Sequence, residues 1–212
     1  MLQFNSAILA AAGLFTGTYA PYQAIHIEPM TPGVLVAASD QGRISAIGFD
    51  HRGQGDESFD LLPSKELLAA CSGIKSAERD IRIEGNAAVV TTYRKVAANE
   101  AKEFPIHRAM TPFPPLAEAL AACVERWSAT PTLSATAGRY SAAMLERAIK
   151  AASHLNDSIV ISAFDGGPLR LQGDKLEFCI LLMPQTAEPL PGIPEWILKF
   201  AGSSACHVAH DG

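Results

Sequence analysis

Ser58-Phe59-Asp60-Leu61-Leu62-Pro63-Ser64-Lys65-Glu66-Leu67-Leu68 is the stretch on which the fold turns. Its first part reads as a strand, with bulky apolar residues flanking an acid. Pro63 cannot donate to a sheet ladder and ends it. Ser64 carries a hydroxyl that can cap the free amides of a helix start. Leu67, Leu68 and Cys71 then recur at helical spacing. A strand that passes straight into a short helix implies a mixed α and β architecture.

Working outward toward the N-terminus, three runs have strand character. Residues 22–28 (Tyr-Gln-Ala-Ile-His-Ile-Glu) alternate, and 33–39 and 43–49 are apolar runs joined by Asp40-Gln41-Gly42. That turn has Gly where positive φ is cheap, so the two runs form a hairpin. Residues 50–57 are polar and glycine-rich and predict an exposed loop. Residues 2–15 predict a helix rich in Ala and Leu. Ala7 to Phe15 also has the look of a signal-peptide core, with Thr18-Tyr19-Ala20 as a cleavage site. No Lys or Arg precedes it, which favours an internal helix, and the run is too short to span a bilayer.

Outward in the other direction, Asp80 to Gly85 alternates cleanly. Gly85-Asn86 turns the chain back into Ala87 to Tyr93, and Glu103-Phe104-Pro105 closes the segment. Pro112, Pro114 and Pro115 mark a boundary. Beyond it, 116–127 predicts a helix, 132–137 a strand and 140–153 a helix. Antiparallel strands follow over 158–164, 168–171 and 176–183. The second half thus repeats the order of the first but lacks the long hairpin between its helices. The expectation is one full unit over 1–110, an abbreviated unit over 111–184, and a tail over 185–212.

This order of helices and hairpins resembles the repeated domain of bacterial DNA polymerase sliding clamps (the beta subunit). The strand-to-helix step at Ser58–Leu68 is similar to that of a clamp domain. Asp165-Gly166-Gly167-Pro168-Leu169-Arg170-Leu171 resembles the penultimate strand of the last clamp domain, and Ile180-Leu181-Leu182-Met183-Pro184 its final one. The resemblance implies a shortened, divergent member with an α+β, DNA-clamp-like fold: antiparallel sheets with two helices per repeat unit. It departs from the family in length, with fewer than two units where bacterial clamps carry three, and in the tail beyond the Met-Pro pair.

Several functional expectations follow from the resemblance. A clamp neutralises phosphates of double-stranded DNA with Lys and Arg on its helices, without reading bases. The residues so placed are Lys65, Lys75, Arg126, Arg139, Arg147 and Lys150. A solvated helix face is the plainer reading of the same charges, and the first helix has no basic residue at all. Clamps also hold peptide motifs of replication or repair proteins near the final strand, where Leu182, Met183 and Pro184 would line the pocket. The plainer reading there is core for Leu182 and Met183 and a strand end at Pro184. Self-association into a ring is implied too, because three chains of two units would supply six. The alternative is a clamp-fold interaction module that no longer encircles DNA.

Composition sets the remaining bounds. The chain has 212 residues, a formal net charge of -5 and a hydrophobic content of 48%. Such a chain suits a globular protein and argues against a strongly basic nucleic-acid binder, although a local basic surface stays open. The four cysteines, Cys71, Cys123, Cys179 and Cys206, are far apart and form no CxxC pair, which suits free thiols in a reducing cytoplasm. Cys206-His207 with His210-Asp211 offers zinc-type donors but no second cluster at ligand spacing. Asp56-Glu57 near His51 lacks a nucleophile or oxyanion site. His26 is most simply a strand residue. No phosphate loop, nucleophile elbow or dinucleotide fingerprint is present. The chain is therefore expected to act by binding, with no cofactor, no metal and no catalytic residue.

Overall fold

The computed structural model describes residues 1–72, 77–94, 99–129, 139–155, 157–163, 168–174 and 177–185; the side chains at 119, 123 and 126–129 are left aside. Of the sequence expectations, the strand over 132–137, the tail over 186–212 and Lys75 lie outside the described residues.

The chain opens with a strand, β1 (Leu2–Asn5), and only then enters helix α1 (Ser6–Gly13). This corrects the expected helix over 2–15. Leu2 and Phe4 alternate into the core with period two, which a helix could not do. Asn5 is the switch, since its side chain accepts from the Ala7 amide at 2.9 Å and caps α1.

Strands β2 (Ile25–Pro29), β3 (Val34–Asp40) and β4 (Ile44–Asp50) follow. β3 and β4 form the expected hairpin, with Gln41 and Gly42 both at positive φ, as a tight primed turn requires. The polar loop contains a two-residue strand, β5 (Gln54–Gly55). β6 (Phe59–Leu62) leads to helix α2 (Lys65–Cys71), and Ser64 Oγ accepts from the Leu67 amide at 3.1 Å. Three strands complete the first half's meander: β7 (Glu78–Glu84), β8 (Ala87–Tyr93) and β9 (Glu100–Pro105). A two-residue strand, β10 (His107–Arg108), ends the segment. The second half holds α3 (Leu116–Ala129), α4 (Ala142–Leu155), β11 (Ile159–Ser162), β12 (Leu169–Gly173) and β13 (Phe178–Leu182).

These strands form two antiparallel sheets. The smaller has the order β5-β1-β7-β8-β9, and the larger β10-β6-β2-β3-β4-β13-β12-β11. The larger sheet is continuous across the two halves of the chain. β13 joins β4 in antiparallel register, Phe178 opposite Gly48 and Leu182 opposite Ile44. Helix α1 lies at the centre, packed between α2 and α4 and against strands of both sheets. Its Ile8, Leu9, Ala10, Ala11 and Ala12 are all buried. A helix that is apolar on every side belongs in a core. That explains why α1 carries no basic residue: it has no exposed face on which to place one.

Candidate DNA and partner-peptide interface

The basic residues named from the sequence take different positions. Lys65 is the first residue of α2, and its side chain is exposed. Arg126 sits on α3, with its side chain outside the described residues. Arg139 is exposed just before α4, and its carbonyl accepts from the Gln185 amide at 2.8 Å. Lys150 is exposed on α4 and pairs with Glu146 at 2.8 Å, one helical turn away. That pairing, through the Lys150 hydrogen bond, holds the Glu146 carboxyl below its usual range.

Arg147 is on the same helix but turns inward. Its Nε and Nη2 donate to the carbonyls of Leu14 and Thr16, and its Nη1 donates to Asp40 Oδ2 at 2.7 Å. Its guanidinium also lies over the Phe15 ring, 5.8 Å from the centroid. Asp40 takes a second cation through Arg43, at 2.9 Å. Burial pushes the Asp40 carboxyl up, but the hydrogen bonds and charges of Arg147 and Arg43 outweigh it and hold the group below its ordinary value. Arg147 and Lys150, three residues apart, therefore do different things: one ties α4 to the end of α1 and to β3, the other faces solvent.

The proposed partner site lies where β13 ends. Leu182 is fully buried, while Met183 is 46% exposed and Pro184 is exposed. The Met183 amide donates to the Arg43 carbonyl at 3.0 Å, which sets this corner beside the β3–β4 turn. The structure thus brings Met183, Pro184, Arg43 and the backbone of Arg139 to one corner of the molecule. Sequence reading had no signal for Arg43 there, because the pairing of β13 with β4 is long-range.

The residues weighed for catalysis do not converge. His51 Nε2 lies 2.6 Å from Glu177, Asp56 holds the N-terminal ammonium, and Glu57 accepts from Arg108. His26 pairs with Asp60 at 2.6 Å and stacks on Phe113. Cys71 is enclosed, and burial pushes its thiol up to about 12. Cys206, His207, His210 and Asp211 lie outside the described residues. Among the described residues no group of three or more metal-ligating side chains forms, and no helix is long and apolar enough to cross a membrane.

No protein-family model matches the chain, and no curated protein matches it by sequence. Solved structures do match in shape. The DNA polymerase III beta subunit of Thermotoga maritima superposes with a TM-score of 0.55 at 10% identity, covering 93% of this chain and 67% of its own. The Proliferating Cellular Nuclear Antigen of Entamoeba histolytica gives 0.52 at 11% identity, over 87% of this chain and 98% of its own. The beta subunit of Borrelia burgdorferi gives 0.50 at 11% identity, over 89% and 65%. At such identities the likeness speaks to fold, and with two antiparallel sheets and a central helix layer the chain has the fold of the DNA sliding clamps.

Proposed function

We propose that the chain is a clamp-like scaffold for DNA transactions that acts by binding and not by catalysis. The observation that carries this is the larger sheet. It joins strands from the first half of the chain to β11–β13 of the second half and ends in two edge strands, β10 and β11. Edge strands expose unpaired backbone donors and acceptors that template further pairing. β11 is also apolar on both of its faces, with Val160 and Ile161 exposed. Pairing β11 of one copy with β10 of the next is a head-to-tail contact, and such contacts close into rings when the rotation permits. The ring would enclose double-stranded DNA, with Lys65, Lys75, Arg126, Arg139 and Lys150 contributing positive charge and Arg147 bracing α4 behind them. Replication or repair peptides would dock at Met183 and Pro184 over Leu182, and the setting would be the cytoplasm.

The test is light scattering after size exclusion, followed by DNA binding across a salt series. An oligomer that loses DNA as salt rises supports the reading, since released counterions make phosphate binding salt-dependent. A strict monomer at high concentration with no salt-dependent binding overturns it. A second reading, an interaction module that no longer encircles DNA, is favoured by the Lys150–Glu146 pair and the inward turn of Arg147. Peptide binding by the chain without any DNA affinity would select it.

A further inference from the structure

The smaller sheet is covered unevenly on its helix side. Helix α2 packs on β7 and ends at Cys71, while on β9 Glu100 and Lys102 are exposed. The register sets Arg79 opposite Thr92 and Thr92 opposite Glu100, so these three residues stand in one row across β7, β8 and β9. The row two residues along is Ile81, Val90 and Lys102. The alternation of side chains keeps both rows on one face. Between that face and the small residues Ala69 and Ala70 lies a cavity of about 290 Å³. Its floor is Val90 and the buried Thr92, and Arg79, Arg94, Glu100 and Lys102 surround it.

Its charge is unbalanced. Among the described lining residues three cations, Arg79, Arg94 and Lys102, meet one carboxylate, Glu100. Glu100 accepts from Arg94 at 3.2 Å and lies 3.1 Å from the Lys102 ammonium, which holds both cations at the rim. Those contacts, the Lys102 hydrogen bond above all, keep the Glu100 carboxyl below its usual range. Arg79 Nη1 donates to the carbonyls of Ala70 and Ser72 and is thereby fixed at the end of α2. Its Nε is buried without a hydrogen-bond partner among the described residues.

We propose that this cavity binds a small ligand through a phosphate monoester. The uncompensated charge of the lining matches the roughly -1.5 to -2 of such a group at neutral pH, whereas a carboxylate or a phosphodiester would leave a positive excess. The volume lies near the lower end of the range for small-molecule sites, about 300–1,000 Å³, so the body of the ligand is small. Thr92 can donate or accept, and Val90 with the two alanines gives an apolar wall. This inference does not depend on ring formation or on DNA.

The test is titration of the full chain, followed by amide NMR, with inorganic phosphate, glycerol 3-phosphate and glycerol as the uncharged control. Saturable shifts at Thr92, Arg94 and Lys102 with both phosphates, and none with glycerol, are expected. Arg94→Gln and Lys102→Gln alter exposed side chains and leave the Arg79 cap of α2 in place. Each is expected to weaken glycerol 3-phosphate by about tenfold, the worth of one charge-assisted hydrogen bond. Absence of saturable shifts with millimolar phosphates, or unchanged affinity in the double variant, overturns the proposal. Displacement of glycerol 3-phosphate by a DNA duplex without terminal phosphates would overturn it also, by making the cavity part of a phosphodiester track.

Discussion

Arg147 Nη1 donates to Asp40 Oδ2 at 2.7 Å, joining helix α4 of the second half to the end of β3 in the first. Both side chains are largely enclosed, at 24% and 12% exposure. The guanidinium also serves the carbonyls of Leu14 and Thr16, so one side chain satisfies three acceptors on two segments, the end of α1 and β3.

Removing that side chain takes this donor from the two carbonyls and leaves Asp40 with Arg43 alone. Arg147→Met is expected to lower unfolding free energy by about 2–3 kcal/mol, because a partly buried carboxylate loses one of its two cations. Arg147→Lys keeps the charge but loses the planar fork, and about half the loss is expected. Urea denaturation of the three proteins measures both.

The same pair has a pH signature. The folded Asp40 carboxyl sits below its ordinary value of 3.8, so its ionised form stabilises the fold above that pH. The contribution is lost as pH falls through the folded value, where the group protonates in both states. The stability gap between wild type and Asp40→Asn should therefore be flat near neutrality and narrow below about pH 4. A gap that stayed constant down to pH 3 would remove Asp40 from this role.

Gly48 is the point where β4, β13 and α1 crowd together. A Cβ there would lie 2.5 Å from Ile8 Cγ2 and 2.8 Å from the Phe178 ring. Gly48→Ala is expected to cost about 1–3 kcal/mol through overpacking, and to loosen the join between the halves. Hydrogen exchange should show β12 and β13 losing protection before β2 and β3. Uniform loss across the larger sheet would mean that the two halves unfold as one.

Neighbours at the end of β13 should behave oppositely. Leu182 is fully buried and Met183 is 46% exposed. Leu182→Ala is expected to destabilise by about 2–4 kcal/mol through the cavity it leaves. Met183→Ala should leave stability within about 0.5 kcal/mol and, if the corner holds partner peptides, weaken a peptide measured by fluorescence anisotropy. Unaltered peptide affinity in Met183→Ala would move the docking site elsewhere.

The sequence by itself determined most of the elements. Alternation in Asp80–Gly85, the Asp40-Gln41-Gly42 turn, the Ser64 cap and the helical spacing after it are local signals, and each has its counterpart in the structure. The clamp-like order of those elements was legible for the same reason, since a helix or a hairpin is specified by residues close in the chain. Local signals misjudged Leu2–Asn5, where pairing with β5 and β7 outweighs a run that can also be read as helical.

Only the tertiary structure decided what the charges do. Arg147 and Lys150 are equivalent by spacing, yet one is drawn to Asp40, 107 residues away, and the other meets a Glu on its own helix. The basic cavity of Arg79, Arg94 and Lys102 was illegible for the same reason, because strand register across β7, β8 and β9 assembles it. An electrostatic partner depends on distance in space. Sequence spacing gives that distance only within a helix or between near strands, whereas the packing of the core sets it everywhere else.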